Sequence, residues 1–310
     1  MTAERLPWIC EDPAWLGLLE VAKKAAVAVT PLLISGEGGT GKNHFARLIH
    51  ELSPRCDAPF LKIDCASLPP ELVASELFGH ERGGFSGALG PKLGCFELAG
   101  HGTIVLDEVA ALSHWAQGEL VGVLQDQKYR RMGGTETLST LARIVALTSA
   151  DLSAAMSAGR FREDLFFRLN VSAIQIPPLR EHPADIVPLA DFLLIALRST
   201  HGHPGAQLSE ESKRMLTGYA WPGNLRELRE VLERALLLSK KDSLEPDVFA
   251  ENMKAGPTTP TGALRSLEDV EKEVIAGTLE ALHYRITRSS QILGISRKTL
   301  LEKRKKYGLK

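Results

Sequence analysis

Eight residues, Gly36-Glu37-Gly38-Gly39-Thr40-Gly41-Lys42-Asn43, constrain what this chain can fold into more than any other stretch. They follow the apolar run Leu32-Leu33-Ile34 and precede Phe45, Leu48, Ile49 and Leu52 at helical spacing. Strand, glycine loop and helix in that order make a phosphate cradle. The glycines let backbone N–H groups turn inward on an anion, the helix N-terminus adds positive potential, and Lys42 reaches the terminal phosphates. The last position of this pattern ordinarily carries Ser or Thr; Asn43 stands there. The segment therefore reads as a nucleotide-binding P-loop.

Composition narrows the class. The chain has 310 residues, 44% hydrophobic and 24% charged, as expected of a soluble globular protein with length for two or three domains. Its net charge of −1 argues against a uniformly nucleic-acid-coating protein, although it averages over unlike regions. Cys10, Cys56, Cys65 and Cys95 show neither CxxC spacing nor nearby paired histidines, so no zinc site or disulfide framework is expected. No signal peptide is expected at the N-terminus. The longest apolar stretch, Ile186 to Leu197, contains Asp191 and is too short to span a bilayer, so no membrane partner and a cytoplasmic location are expected.

Along the chain, Trp8, Trp15, Leu16, Leu18, Leu19 and Val21 suffice for a short helix beside the nucleotide pocket. Strand-like runs at Leu32–Ser35, Leu61–Asp64, Ile104–Leu106, Ile144–Thr148 and Ala173–Ile176 alternate with amphipathic segments. Such alternation predicts an α/β fold, a largely parallel sheet with helices on both faces. From 182 to 254 helical periodicity takes over, as in Leu225, Leu228, Val231, Leu232 and Ala235. Ala255–Gly262, rich in Gly, Pro and Thr, reads as a linker, and a small helical unit follows. The expected division is an α/β part over 1–181, a helical part over 182–254, a linker over 255–264 and a small helical unit over 265–310.

Thr103-Ile104-Val105-Leu106-Asp107-Glu108 is an apolar strand ending in two carboxylates. One carboxylate can hold the hydration shell of Mg2+ and its neighbour can orient or deprotonate an attacking water. The full series of motifs resembles the AAA+ domain of bacterial enhancer-binding proteins, the activators of sigma-54 RNA polymerase. It comprises Gly36–Asn43, Glu76-Leu77-Phe78-Gly79-His80-Glu81, the segment from Phe161 to Asn170, Pro177-Pro178-Leu179-Arg180 and Trp221-Pro222-Gly223-Asn224-Leu225-Arg226-Glu227-Leu228. The likeness runs from about residue 9 to the C-terminus with motifs in the family's order. It implies ATP and Mg2+ as cofactors and a ring, commonly a hexamer, with nucleotide at subunit interfaces. Arg162 and Arg168 would be arginine fingers supplied to a neighbour, because a guanidinium neutralises charge spread over a transferring phosphoryl group. Arg226 matches the lid arginine called sensor II, and Thr148 falls where sensor I lies. Where the family has an acidic residue after the P-loop lysine this chain has Asn43, and where it has an asparagine near the catalytic glutamate this chain has Asp64. An aspartate there would repel Glu108, so altered coupling of hydrolysis to movement is expected.

Gly83-Gly84-Phe85-Ser86-Gly87-Ala88 takes the place of the family's GAFTGA loop, which protrudes into the ring pore and touches sigma-54. Gly84 replaces an alanine and Ser86 a threonine. The glycines and the single aromatic read as a mobile hairpin whose Phe85 has no local core to enter, a contact device for sigma-54. At the other end, Ile286–Gly294 and Ser296–Tyr307 read as two helices around a turn at Gly294-Ile295, preceded by an apolar stripe of Leu267, Val270, Val274, Ile275, Leu279 and Leu282 suited to packing or dimerisation. From Arg285 to Lys310 nine Lys/Arg face only Glu302. This unit resembles the Fis-type helix-turn-helix, in which Ser296, Arg297, Lys298, Thr299 and Lys303 would meet the major groove of double-stranded DNA or its phosphates.

The sequence thus points to an ATP-hydrolysing activator that binds upstream DNA as a dimer, assembles into a ring and remodels closed sigma-54 promoter complexes. The competing readings are a DNA-binding repressor, or an activator of another polymerase form, whose ATPase scaffold serves oligomerisation, and a AAA+ remodeller of another partner. With no sensory domain ahead of the P-loop, control by a trans-acting regulatory protein, by abundance or by a mixed ring is expected.

Overall fold

The computed structural model describes residues 12–239, 242–254, 271–272, 275–276, 278–279 and 285–307. By packing, the chain divides into Met1–Gly256 and Pro257–Lys310. Trp8, the Ala255–Gly262 segment and Leu267, Val270, Val274 and Leu282 of the apolar stripe lie outside the described residues.

Five strands form one parallel sheet: β1 (Leu32–Ser35), β2 (Phe60–Asp64), β3 (Thr103–Asp107), β6 (Arg143–Thr148) and β7 (Ala173–Gln175), in the order β2-β3-β6-β1-β7. The central strand β6 and its neighbour β3 are buried at every position, which is why their middles read as continuous apolar runs rather than as alternation. Successive residues nevertheless feed opposite faces. Leu33, Ile63, Ile104, Leu106, Ile144 and Ala146 pack with α3 (Pro70–Phe78), α5 (His114–Asp126) and α7 (Glu163–Leu169). Leu32, Ile34, Val105, Val145, Leu147 and Ile174 pack with α1 (Pro13–Val27) and α2 (Lys42–Glu51). Arg143 ties this second face shut: its guanidinium, buried at the start of β6, donates to the carbonyls of Ala25 (2.6 Å) and Ala26 (3.2 Å) near the end of α1.

Between α5 and β6 the chain adds a hairpin of β4 (Lys128–Arg130) and β5 (Thr137–Ser139), which no apolar pattern announces because only Tyr129 in it is buried. The lid is α8 (Pro183–His201), α9 (Glu210–Thr217), α10 (Asn224–Leu238) and α11 (Pro246–Lys254), around its own core of Leu179, Ile186, Leu194, Leu216, Leu232 and Phe249. Trp221 is fully buried there, its indole N–H donating to the Leu216 carbonyl at 2.9 Å. A two-residue parallel pairing of β8 (Gln207–Leu208) with β9 (Ser243–Leu244) staples the lid, a region whose sequence gives no strand signal.

In the C-terminal unit, helices Ile286–Ile292 and Arg297–Lys306 flank a turn in which Gly294 has φ +65°, a left-handed conformation suited to glycine. Among the described residues, Ile275, Leu279 and Leu300 form its buried apolar cluster, with Ile286, Leu293 and Ile295 packed beside them.

Candidate functional site

The P-loop sits where β1 passes into α2. Its first N–H, of Gly36, donates to the carbonyl of Thr148 on the neighbouring strand at 3.2 Å, so β6 fixes where the loop begins. Thr40 Oγ1 closes a turn on the Glu37 carbonyl at 2.9 Å. Lys42 is the first residue of α2 and is nearly inaccessible; its ammonium donates to the carbonyls of Gly36 (2.7 Å) and Glu37 (3.0 Å). Burial lowers its pKa, opposed by Glu108 and Asp107, the former 3.9 Å away. Gly39 is required twice over: its φ is +80°, and a Cβ there would collide with the Gly223 carbonyl oxygen of the lid.

The two carboxylates of β3 have separate settings. Asp107 Oδ2 receives the Asn43 amide (2.8 Å) and the Lys62 ammonium (2.9 Å). Glu108 leaves the strand with φ +54° and ψ +55°, a left-handed backbone uncommon for a residue with a side chain and costing on the order of 1–3 kcal/mol. Its Oε2 accepts the N–H of Ser149, one residue past Thr148, at 2.9 Å. The segment after β6 therefore reaches the glutamate through a backbone donor. Thr148 itself is buried and exchanges bonds with Ala150 at 3.1 Å, shaping the turn that aims Ser149. Asp64 pairs in register with Asp107, but its carboxylate accepts from its own loop, at Ala66 N–H (3.0 Å). Cys65, buried among Asp64, Asp107 and Glu108, has its thiol pushed up to about 12, first by burial and then by these three carboxylates.

Arg226 lies in the first turn of α10, near enough to the P-loop that its Cβ lines the space beside Gly39, and its charge acts on Lys42. Arg162 and Arg168 stand at the two ends of α7, each bonded locally. Arg162 forks onto Asp164 (3.0 and 2.7 Å) and Arg168 donates to Gln125 Oε1 (2.9 Å).

The Gly83–Ala88 segment is a tight turn, closed by Gly83 N–H to the Ala88 carbonyl (2.9 Å) and Ala88 N–H to the Phe85 carbonyl (3.1 Å). Its stem is a three-way joint in which His80 bridges both Lys92 and Met132. Arg131 cross-links that stem, donating to Glu81 (2.7 Å) and bidentately to Glu97 (3.0 and 2.6 Å). Here the expectation for Phe85 needs correcting. Its ring is half-buried and packs edge-on against His80, centroids 5.0 Å apart, while His80 is itself buried and bonded to Ser75 at 2.7 Å. The side chain that stands free is Leu89, 90% exposed. Ser86 and Gly87 are exposed; Ala88 is buried.

Among the residues expected to meet DNA, Ser296 caps its helix by accepting Thr299 N–H at 3.1 Å, and Arg297 and Lys298 are exposed on the first turn. Lys303 differs. Its ammonium is paired with the carboxylate of Glu271, which also accepts from the Tyr307 hydroxyl at 2.6 Å. No role was expected for Lys62, Ser149, His80 or Arg180: His80 and Arg180 stand inside quoted motifs without an assigned task, and Lys62 and Ser149 stand beside Asp64 and Thr148.

Three family descriptions cover almost the whole chain: the sigma-54 interaction domain over residues 8–175, the AAA+ ATPase lid domain over 180–264 and the Fis family of bacterial regulatory proteins over 266–307. The transcriptional regulatory protein FlbD of Caulobacter vibrioides is 37% identical over 325 aligned positions, covering 99% of this chain and 71% of that protein. The regulatory protein AtoC of Escherichia coli is 39% identical over 311, covering 97% and 68%. Among solved structures, NtrX of Brucella abortus in complex with ATP superposes with a TM-score of 0.75 at 30% identity, over 99% of this chain and 70% of that one. With its parallel sheet, P-loop, acidic strand end, helical lid and C-terminal helix-turn-helix, the chain belongs to the family of sigma-54 transcription activators, in which a AAA+ ATPase is joined to a Fis-type DNA-binding domain.

Proposed function

We propose that this activator binds upstream double-stranded DNA through residues 265–310 and assembles, from dimer to hexamer, into a ring. Hydrolysis at the subunit interfaces then drives the Gly83–Ala88 loops against sigma-54 in closed promoter complexes. The observation that carries the reading is the setting of Glu108: a strained carboxylate held between Lys42 of the P-loop and the Ser149 N–H beyond β6. A group held off its preferred backbone conformation in this way suits orienting water for attack on a terminal phosphate.

In this reading Gly36–Asn43 wrap the phosphates of ATP, with Thr148 fixing the loop's start and Arg226 reporting nucleotide state from the lid. Asp107 and Asn43 fit Mg2+. Asp107 offers a carboxylate, and the Asn43 Oδ1, buried beside it, has no hydrogen-bond partner, so a hard oxygen donor stands ready. When bound, the ion screens the charge of the β- and γ-phosphates. Lys62, now on Asp107, serves as that carboxylate's counter-charge. Arg162 and Arg168, exchanging Asp164 and Gln125 for a neighbour's γ-phosphate, would complete the site in trans. Parts 1–181 and 182–254 act as ATPase core and lid, joined to the DNA-binding part through 255–264. A cytoplasmic location follows from these partners, and no helix among the described residues is long and apolar enough to cross a membrane.

The deciding experiment is transcription from a sigma-54 promoter with purified protein and ATP. ATP-dependent open complexes are expected. Intact DNA binding with no open complexes would favour the regulator whose AAA+ part serves oligomerisation, a reading that the Gly84 and Ser86 replacements keep in play.

A further inference from the structure

Glu37 lies in the P-loop, yet its carboxylate faces the lid. Arg180 grips it bidentately, Nη1 to Oε2 at 2.8 Å and Nη2 to Oε1 at 2.6 Å. This draws the Glu37 carboxyl below its usual range, mainly through the Arg180 hydrogen bonds. Asn224 adds two donations from Nδ2, to Glu37 Oε2 (3.2 Å) and to the Gly38 carbonyl (3.0 Å). Leu225 N–H then takes the Gly39 carbonyl at 3.0 Å. Three consecutive P-loop residues are thus bonded to residues belonging to the lid or its entry.

Asn224 is built for this task. It is fully inaccessible, begins α10 with φ +53°, and its Oδ1 accepts Leu179 N–H at 2.8 Å. All of its amide functions are spent on joining Leu179, a member of the lid core, to the P-loop. Asparagine is one of the few non-glycine residues that takes this left-handed backbone readily, which suits the position.

The consequence follows from peptide geometry. In a trans peptide the C=O and the following N–H point in opposite directions. Holding the Gly38 and Gly39 carbonyls on the lid fixes the N–H groups of Gly39 and Thr40 on the other side, and these are the donors a phosphate cradle uses. We propose that Asn224, with the Arg180–Glu37 pair, positions the phosphate-binding N–H groups, so that displacement of the lid opens the cradle and sets how fast nucleotide leaves. Asn224, Arg180 and Glu37 act here as positioning residues, distinct from Arg226, whose charge acts on Lys42.

The inference rests on nucleotide occupying the P-loop, and the test separates the two. Release of a fluorescent ADP analogue is followed by stopped flow in the full chain and in Arg180→Ala, Glu37→Gln, the double variant and Asn224→Asp, alongside the unfolding midpoint without nucleotide. Arg180→Ala and Glu37→Gln should each speed release by about threefold to tenfold, the range for a charge-assisted fork at a half-exposed site. The double variant should be no faster than the faster single, because one interaction is shared. KM for ATP should rise more than kcat changes, and Arg180→Lys should restore part of the effect. A purely structural bridge would lower the unfolding midpoint and leave release alone. Release within about twofold of wild type in both Arg180→Ala and Glu37→Gln overturns the proposal, whatever the midpoint does. Asn224→Asp keeps the Leu179 bond and loses the two donations. If it does not fold, the two surface variants decide. Failure of the wild type to bind the analogue would instead refute the nucleotide site.

Discussion

The phosphate site and the Gly83–Ala88 loop stand less than fifty positions apart in sequence and are held in opposite ways. At the phosphate site, bonds arrive from residues 149, 180, 224 and 225, so that β6, the lid entry and α10 all converge on a few P-loop and β3 groups. The loop, by contrast, is held by its own stem alone: Gly83 N–H and the Ala88 carbonyl close the turn, Gly84 N–H meets the Glu81 carbonyl, Phe85 rests on His80, and the bonds to Lys92 and Met132 lie at the base. Chemistry is held where many segments agree, whereas force would be delivered by a part that one stem alone supports. The contrast matches the physical demands: phosphoryl transfer needs fixed donors, while a contact device needs a rigid base and a free tip.

Four measurements bear on that contrast. The largest effect belongs to Glu108→Gln, which should retain ATP binding and lose about 10²–10⁴-fold in turnover, the usual worth of a positioned general base; turnover near wild type would remove Glu108 from its assigned role. Next is Phe85→Ala. Open-complex formation should fall about thirtyfold, as for a contact worth ~2 kcal/mol, with ATPase activity retained. If hydrolysis falls in parallel, the tip is not independent of the site and the contrast fails. Third, Asp64→Asn should raise turnover by roughly fivefold, about 1 kcal/mol of barrier, by removing one of the three carboxylates around Cys65. Equal turnover and equal transcription in the two forms would show that Asp64, satisfied by Ala66, is silent. The smallest effect lies in the C-terminal unit. Ser296→Ala removes a helix cap and should destabilise that unit by about 1 kcal/mol in thermal unfolding, leaving ATPase unchanged.

Much of the fold is legible in the sequence because burial on both faces leaves an unmistakable mark. Ile104–Leu106 and Ile144–Leu147 are strands for the same reason that they are apolar throughout. The β4–β5 hairpin escapes such reading because Lys128, Arg130, Thr137 and Ser139 are all exposed and the pairing is carried by backbone. The site shows the same division. Lys42, Asp107 and Glu108 announce themselves through spacing that phosphate chemistry imposes. The Ser149 donor is a backbone N–H, to which side-chain identity is indifferent, and Asn224 meets Glu37 across 187 positions. The His80 shelf under Phe85 was equally hidden, since a glycine-rich stretch says nothing about what its one aromatic rests on.

The left-handed backbone at Glu108 has a further meaning for how such a protein tolerates change. Asparagine adopts that conformation far more readily than glutamate does. A chain carrying Glu108→Asn should therefore fold at least as firmly as the wild type while being unable to turn over ATP. Activity at this position is maintained against the pull of stability, so selection for robustness alone would drift toward a well-folded, silent protein.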